Sequence, residues 1–354
     1  MIPRQPGGLP GCPFVCREGT EVPAVSLFSS PAPYGVKAVF DRGAALRTTA
    51  PVFVVGAVNM DLTGTPAAEL RPGDSNPGRV TLSPGGVGRN IAENLRLLRR
   101  QVSLITVMGN DPYADLLREN CRNAGIDLQF SFTDPMGRTS TYLCITQPDG
   151  DLHTAVADMA IYDQLTPDKL EPLLPVLNHG SMLIADANLP EETLAWIAQH
   201  VTVPLAADPV SVAKASRLRP LLSRLVLLKP NVPEAELLTG MTVHGDGDLG
   251  RVSDALHRLG VRRVYLSLGP RGVWADDSRE GGEIIPCVPG PVVNTSGCGD
   301  AFVAAAADAF LNGLGTMAAA RKALAAASIC ASDSSAVSPR LSPEAVDLLL
   351  RTPT

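Results

Sequence analysis

The pattern of apolar and polar positions changes character near residue 50. Residues 1–50 carry no sustained period of 2 or 3.6 and are dense in Pro and Gly, so they read as a disordered or linker-like extension. Residues 52–61, V-F-V-V-G-A-V-N-M-D, form an apolar run that predicts a buried strand ending in Gly56 and a polar tip, Asn59 and Asp61. After a glycine cluster, Ile91, Leu95 and Leu98 recur at helical spacing. From residue 102 onward, short apolar runs alternate with amphipathic stretches: 102–108 then 113–124, 181–185 then 191–200, 204–207, 225–228 then 233–239, and 264–267. That alternation predicts an α/β domain over residues 51–354, a mostly parallel sheet with helices on both faces. Two alternating runs, 139–147 and 152–157, flank Pro148-Asp149-Gly150 and predict a hairpin. Together with short strand-like pieces near 70–82, it predicts a small β lid inserted at 70–82 and 139–158.

Composition narrows the function class. With 354 residues, 45% hydrophobic and 19% charged, the chain can bury a large core as a globular protein. A net charge of -6 argues against a general nucleic-acid or membrane-surface partner, because a phosphate backbone wants a basic face. No apolar run approaches the ~18 residues of a spanning helix. The seven cysteines (12, 16, 121, 144, 287, 298, 330) are odd in number and scattered, and the five histidines are dispersed, so neither disulfide framework nor zinc site is predicted. Cys12 and Cys16 read as unpaired thiols. A reducing, cytoplasmic setting follows. Arg4, Arg17, Arg42 and Arg47 alone recommend organelle targeting, and the Pro/Gly density opposes the amphipathic helix that route uses.

Candidate chemistry gathers at strand ends. The stretch 294–302, N-T-S-G-C-G-D-A-F, runs from a strand-like segment (284–293) into a helix over 301–311. Gly297 and Gly299 let the backbone turn and expose amides at a helix N-terminus, where the dipole favours an anion. Asp300 in the first turn is placed to accept a proton from an attacking hydroxyl. The plainer alternative is Ser296 capping the helix and Asp300 complementing its dipole. Asp61 offers two acceptor oxygens to vicinal hydroxyls, or serves only as a turn former. In P-G-G-V-G-R-N-I-A-E-N-L (84–95), Gly85 and Gly86 permit close backbone approach and Asn90 offers donor and acceptor. The third glycine of a dinucleotide fingerprint is missing, and no G-x-x-x-x-G-K-[ST] loop occurs. Asn231 and Glu234 lie one helical turn apart, either as a site for a hydrated Mg²⁺ or as an ordinary capping box. Ser267, Gly269 and Gly272 form a glycine-rich turn after a strand, suited to a connection or to a nucleotide contact.

These motifs, in this order over some 250 residues, resemble the ribokinase-like sugar and nucleoside kinases. The family's Gly-Gly and G-A-G-D marks correspond to 84–92 and 297–300. Within the family the resemblance is closest to the branch acting on pseudouridine, through D-S-N-P-G (74–78), A-D-M (157–159), D-P-V-S (208–211) and L-K-P-N-V-P-E-A-E (228–236). The resemblance implies a three-layer α/β/α fold and phosphoryl transfer from ATP, with Mg²⁺, to a nucleoside 5'-hydroxyl. It implies Asp300 as base and the amides of Gly297, Cys298 and Gly299 as anion hole. It also implies Asp61, Gly85, Gly86 and Asn90 on the ribose, and Asn76 and Asn188 as weaker substrate contacts. Asn231, Ser267, Gly269 and Gly272 would meet the nucleotide, and Glu234 the metal. Kinases of other nucleosides or of ribose, and a non-catalytic nucleoside-binding protein, share most of these features. Cys298 replaces the usual Ala, either as a small substitute whose backbone amide does the work or as a thiol made reactive toward oxidants by the helix N-terminus. Asn294 stands where ribokinases often carry an aspartate that helps bind K⁺, which counts against a K⁺ requirement. A homodimer paired through the lid is a further implication of the resemblance.

Overall fold

A computed structural model describes residues 50–148 and 151–351. The 1–50 extension, apart from Ala50, lies outside the described residues, as do Cys12, Cys16 and the Asp149-Gly150 turn. In chain order the strands are β1 (Val52–Val55), β2 (Asn59–Pro66), β3 (Gly78–Gly85), β4 (Val102–Ile105), β5 (Val107–Met108), β6 (Phe132–Thr133), β7 (Thr141–Thr146), β8 (Leu152–Asp158), β9 (Met182–Asp186), β10 (Leu205–Asp208), β11 (Leu225–Leu228), β12 (Arg263–Ser267), β13 (Val273–Asp277) and β14 (Gly281–Ile285). The large sheet has the order β14-β13-β12-β11-β10-β9-β1-β4. It is parallel from β4 to β12, and β13 and β14 add an antiparallel edge.

Strands buried on both faces need two apolar layers, and β1 shows both. Val52 and Val54 belong to a core with Ile91, Leu95 and the alanines of the helix Cys298–Leu311; Phe53 and Val55 belong to another with Leu183, Leu194 and Ile197. The alternation of side chains along a strand therefore divides the core into two layers, giving the predicted α/β/α sandwich. In the helix Cys298–Leu311 every residue from Asp300 to Leu311 is buried. Its run of alanines lets it lie close against the helices Val87–Leu97 and Thr316–Ala331.

Three expectations need correction. Residues 52–61 are two strands: the Ala57 amide donates to Asp186 Oδ2 at 2.7 Å and the Val58 amide to Tyr162 Oη at 2.7 Å, so side chains take donors that a continuous strand would pair. The chain leaves the large sheet there, and Asn59 and Asp61 sit in β2 of the lid. Of the short strand-like pieces near 70–82 only the later one forms, from Gly78 onward, and the residues before it form a turn closed by Asn76, whose Oδ1 accepts from the Arg71 amide at 2.8 Å. The strand predicted at 284–293 ends at Ile285, after which Pro286, Pro289 and Pro291 supply no ladder donors.

The lid is a four-stranded sheet of order β3-β2-β7-β8. Its register sets Leu82, Leu62, Leu143 and Val156 in one row and Ser83, Asp61, Tyr142 and Ala157 in the next. Since adjacent rows face opposite sides, one lid face is apolar and the other carries Asp61. Among the described residues no helix is long and apolar enough to cross a membrane.

Asp308 ties the helix that carries the site to its neighbours. It accepts from Arg100 Nε at 2.6 Å and Lys322 Nζ at 2.7 Å while only 4% exposed. Asp308→Ala leaves two largely buried cations without their anion, and is expected to cost about 3–5 kcal/mol in urea unfolding. A loss under about 1 kcal/mol would show that the network is solvent-screened.

Candidate active site

The helix Cys298–Leu311 starts from Gly297, whose φ of 78° is left-handed and whose missing side chain leaves room for the Ala336 carbonyl. No side chain caps this end, so Ser296 is not the cap. The Ala301 amide donates to Gly297 O at 2.9 Å and the Cys298 amide to Thr295 O at 3.3 Å. Among the described residues the amides of Gly299 and Asp300 have no such partner. Of the three amides expected to face an anion, Gly297 shapes the turn and Cys298 is engaged with Thr295, while the amides left free at the positive helix end are those of Gly299 and Asp300. The Cys298 thiol is held below the usual thiol range, chiefly by a hydrogen bond with the Cys330 thiol.

Asp300 is buried, and its Oδ2 accepts from Asn90 Nδ2 at 2.8 Å. Burial, reinforced by the negative charge of Asp208, pushes its carboxyl up to about 8 against the opposing pull of Asn90 and Lys229. Asn90 is itself fixed: Arg89 Nη1 donates to its Oδ1 at 2.9 Å, and its amide donates to Gly86 O at 2.8 Å. Gly85 abuts Asp61 so closely that a Cβ would overlap the carboxylate. Asn59 Nδ2 donates to Asp61 Oδ1 at 2.5 Å, and burial pushes the Asp61 carboxyl up to about 6. Asp61, Gly85, Gly86, Asn90 and Asp300 thus form one continuous chain of contacts.

The other wall is a cleft of about 450 Å³ lined by Ser267, Gly269, Gly272, Cys298, Gly299 and Lys229, with Val288, Phe302 and Leu324 supplying apolar surface. The expected nucleotide-turn residues and the helix start therefore share one cavity. Asn231 and Glu234 form a complete capping box: the Asn231 amide donates to Glu234 Oε2 at 2.8 Å and the Glu234 amide to Asn231 Oδ1 at 2.9 Å. Glu234 is nonetheless buried, and burial raises its carboxyl above the usual range. One of its oxygens is spent on the cap, so the box does not exhaust it. Among the described residues no cluster of three metal-ligating side chains exists.

Two expected contacts have their side chains tied to protein groups, and Asn188 also reaches this assembly through its backbone amide, which donates to Asp186 Oδ1 at 2.9 Å. The Asn76 amide is spent inside its own loop, donating to Arg71 O and Asp74 O. Asn188 is buried, with its Oδ1 accepting from Lys214 Nζ at 2.5 Å. Conversely, Lys229, Asp208, Asp186 and Arg89 were overlooked as site residues. The first three end parallel strands or directly follow one, and that position was the available signal.

The Asp300 assignment has a pH signature. The folded carboxyl keeps its proton up to about pH 8 while the unfolded one loses it near 3.8, so the fold binds more protons in between and loses stability as pH rises through that window. Asp300→Asn removes the loss. It is expected to melt several degrees above the parent at pH 9, with the gap closing toward pH 4. A gap that stays constant from pH 4 to 9 contradicts the assignment.

Residues 49–343 match the family model of the pfkB family carbohydrate kinases. The chain is 36% identical over 265 residues to a pseudouridine kinase of Escherichia coli (strain K12), covering 74% of this chain and 84% of that protein. A carbohydrate kinase structure from Agrobacterium tumefaciens superposes with a TM-score of 0.76 at 32% identity, over 85% of this chain and 97% of the other. The Arabidopsis thaliana ribokinase complexed with ribose and ATP shares the fold with a TM-score of 0.77 at 24% identity, over 86% of this chain and 100% of the other. The chain therefore belongs to the pfkB family of carbohydrate kinases, phosphotransferases that act on hydroxyl groups.

Proposed function

We propose that this protein transfers the terminal phosphoryl group of ATP to the 5'-hydroxyl of pseudouridine. The observation that carries the reading is the hydrogen bond between Asn90 and Asp300, which joins the glycine loop beside Asp61 to the helix end with free amides. A sugar held by Asp61 and Asn90 has its primary alcohol in front of the Asp300 carboxylate. A phosphate in the cleft has its oxygens before the Gly299 and Asp300 amides. Likeness to the Escherichia coli pseudouridine kinase supports the choice of nucleoside.

In this reading Asp61 accepts hydrogen bonds from vicinal hydroxyls, and Asn90 orients both sugar and base. Asp300 takes the hydroxyl proton as the oxygen attacks phosphorus, and the two amides stabilise the charge on the equatorial oxygens. A divalent ion, when bound, neutralises the phosphates, and Glu234 is the carboxylate placed to order its waters. The lid carries Asp61 over the sugar and excludes water that would otherwise hydrolyse ATP.

A panel of pseudouridine, uridine, adenosine and ribose with ATP and Mg²⁺ tests the substrate, with the phosphorylated position read by NMR. Pseudouridine is expected to give the highest kcat/KM, and preference for ribose or another nucleoside overturns the substrate assignment. Because kcat/KM reports the free enzyme, it is expected to rise with pH toward about 8 as Asp300 deprotonates. Asp300→Asn is expected to keep substrate binding and lose at least about 10²-fold in turnover. Turnover like the parent's would falsify the base assignment.

We also propose that two copies pair through the lid. Val80, Leu82, Leu143 and Val156 are 66%, 51%, 41% and 64% exposed on one lid face, an apolar surface that a second copy would cover. Light scattering is expected to give a dimer mass, and Leu82→Glu with Val156→Glu a monomer. A monomeric parent at tens of micromolar excludes the pairing.

A further inference from the structure

Lys229 directly follows β11, and its side chain is 13% exposed. Its closest anion is Asp208 Oδ2 at 3.5 Å, longer than the 2.7–2.9 Å of a well-made charged hydrogen bond. An ammonium carries three donors, and among the described residues this loose ion pair is its one polar contact. The ammonium lines the cleft, so donors that this loose pair leaves unspent are open to a partner outside the polypeptide. The position has a second oddity. The ammonium lies 2.7 Å from where a Cβ on Gly299 would stand, beside the first turn of the helix Cys298–Leu311. A cation is disfavoured at the positive end of a helix unless an anion lies between them. The negative charge of Asp208, above all, sustains the charge against burial, so the lysine remains an ammonium in the cleft it lines.

We infer that Lys229 is a catalytic residue that contacts the phosphoryl group in transit, anchored by Asp208 and given access to the helix end by the absent side chain of Gly299. The inference rests on the phosphotransfer reading above and adds to it a cationic donor opposite the backbone amides. The moving group then meets neutral N–H donors on one side and a positive charge on the other. Gly299 acquires a specific role, since its backbone is free of the left-handed strain that constrains Gly297. A methyl group there would meet the flexible end of Lys229 and push the ammonium aside without disturbing the fold.

A mutant cycle tests this. Lys229→Met is expected to lower kcat by about 10²-fold, the loss typical for one charge-stabilising donor, and to change ADP affinity by less than about threefold. Gly299→Ala is expected to melt within about 2 °C of the parent, lower turnover at least about tenfold, and add nothing in the Lys229→Met background. Should Lys229→Met fail to fold with Asp208 left unpaired, the pair Lys229→Met with Asp208→Asn removes both charges and carries the same comparison. Turnover within about threefold of the parent after loss of Lys229, or a Gly299→Ala loss that is undiminished without the lysine, overturns the inference. If the parent phosphorylates no acceptor, the function reading fails separately. Binding of inorganic triphosphate then decides the lysine's role: a loss of about tenfold in Lys229→Met upholds the contact, and unchanged binding removes it.

Discussion

The hydrogen bond from Asn90 to the Asp300 carboxylate spans 210 residues of sequence and is buried at both ends. Everything functional in this fold depends on it. It fixes the glycine loop at the start of one helix, beside Asp61, against the N-terminus of another, where the Gly299 and Asp300 amides are free. Both helices pack on the same face of the sheet, in the layer to which Val52 and Val54 belong. The alanine-rich surface of the second helix allows that close approach, because bulkier side chains would separate the two helix starts.

Around this contact buried carboxylates outnumber buried cations. Asp186, Asp208, Glu234 and Asp300 are all buried, with Lys229 beside Asp208, Asp300 and Glu234 and Lys214 beside Asp186. Burial alone would drive carboxylates to their neutral forms, and Asp300, Asp61, Asp186 and Glu234 are all raised. A carboxyl so raised is a stronger base once its proton has left, which suits proton abstraction from an alcohol. The same arrangement costs stability, as expected where a site is built for function.

The lid shows how one sheet serves two ends. Its strand alternation puts Asp61 on one face and a row of leucine and valine on the other, so the same hydrogen-bond ladder that holds this carboxylate also presents an apolar surface. A one-residue slip in register would exchange the faces. Gly85, pressed against Asp61, ties β3 to β2 at the point where that register matters most.

Much of this was legible in the chain itself. Apolar runs alternating with amphipathic stretches specified the parallel sheet, and N-T-S-G-C-G-D marked the helix start, because local periodicity and glycine placement are properties of neighbouring residues. The break after Val55 was not legible, since it depends on Asp186 and Tyr162 capturing the Ala57 and Val58 amides from more than 100 residues away. Which amides stay free at the helix start, that Asn76 is consumed by its own loop, and that Lys229 reaches Gly299 were likewise decided by the folded chain. Periodicity sets which elements form; only packing brings distant donors, acceptors and charges within bonding distance, and at this site those long-range meetings are the chemistry.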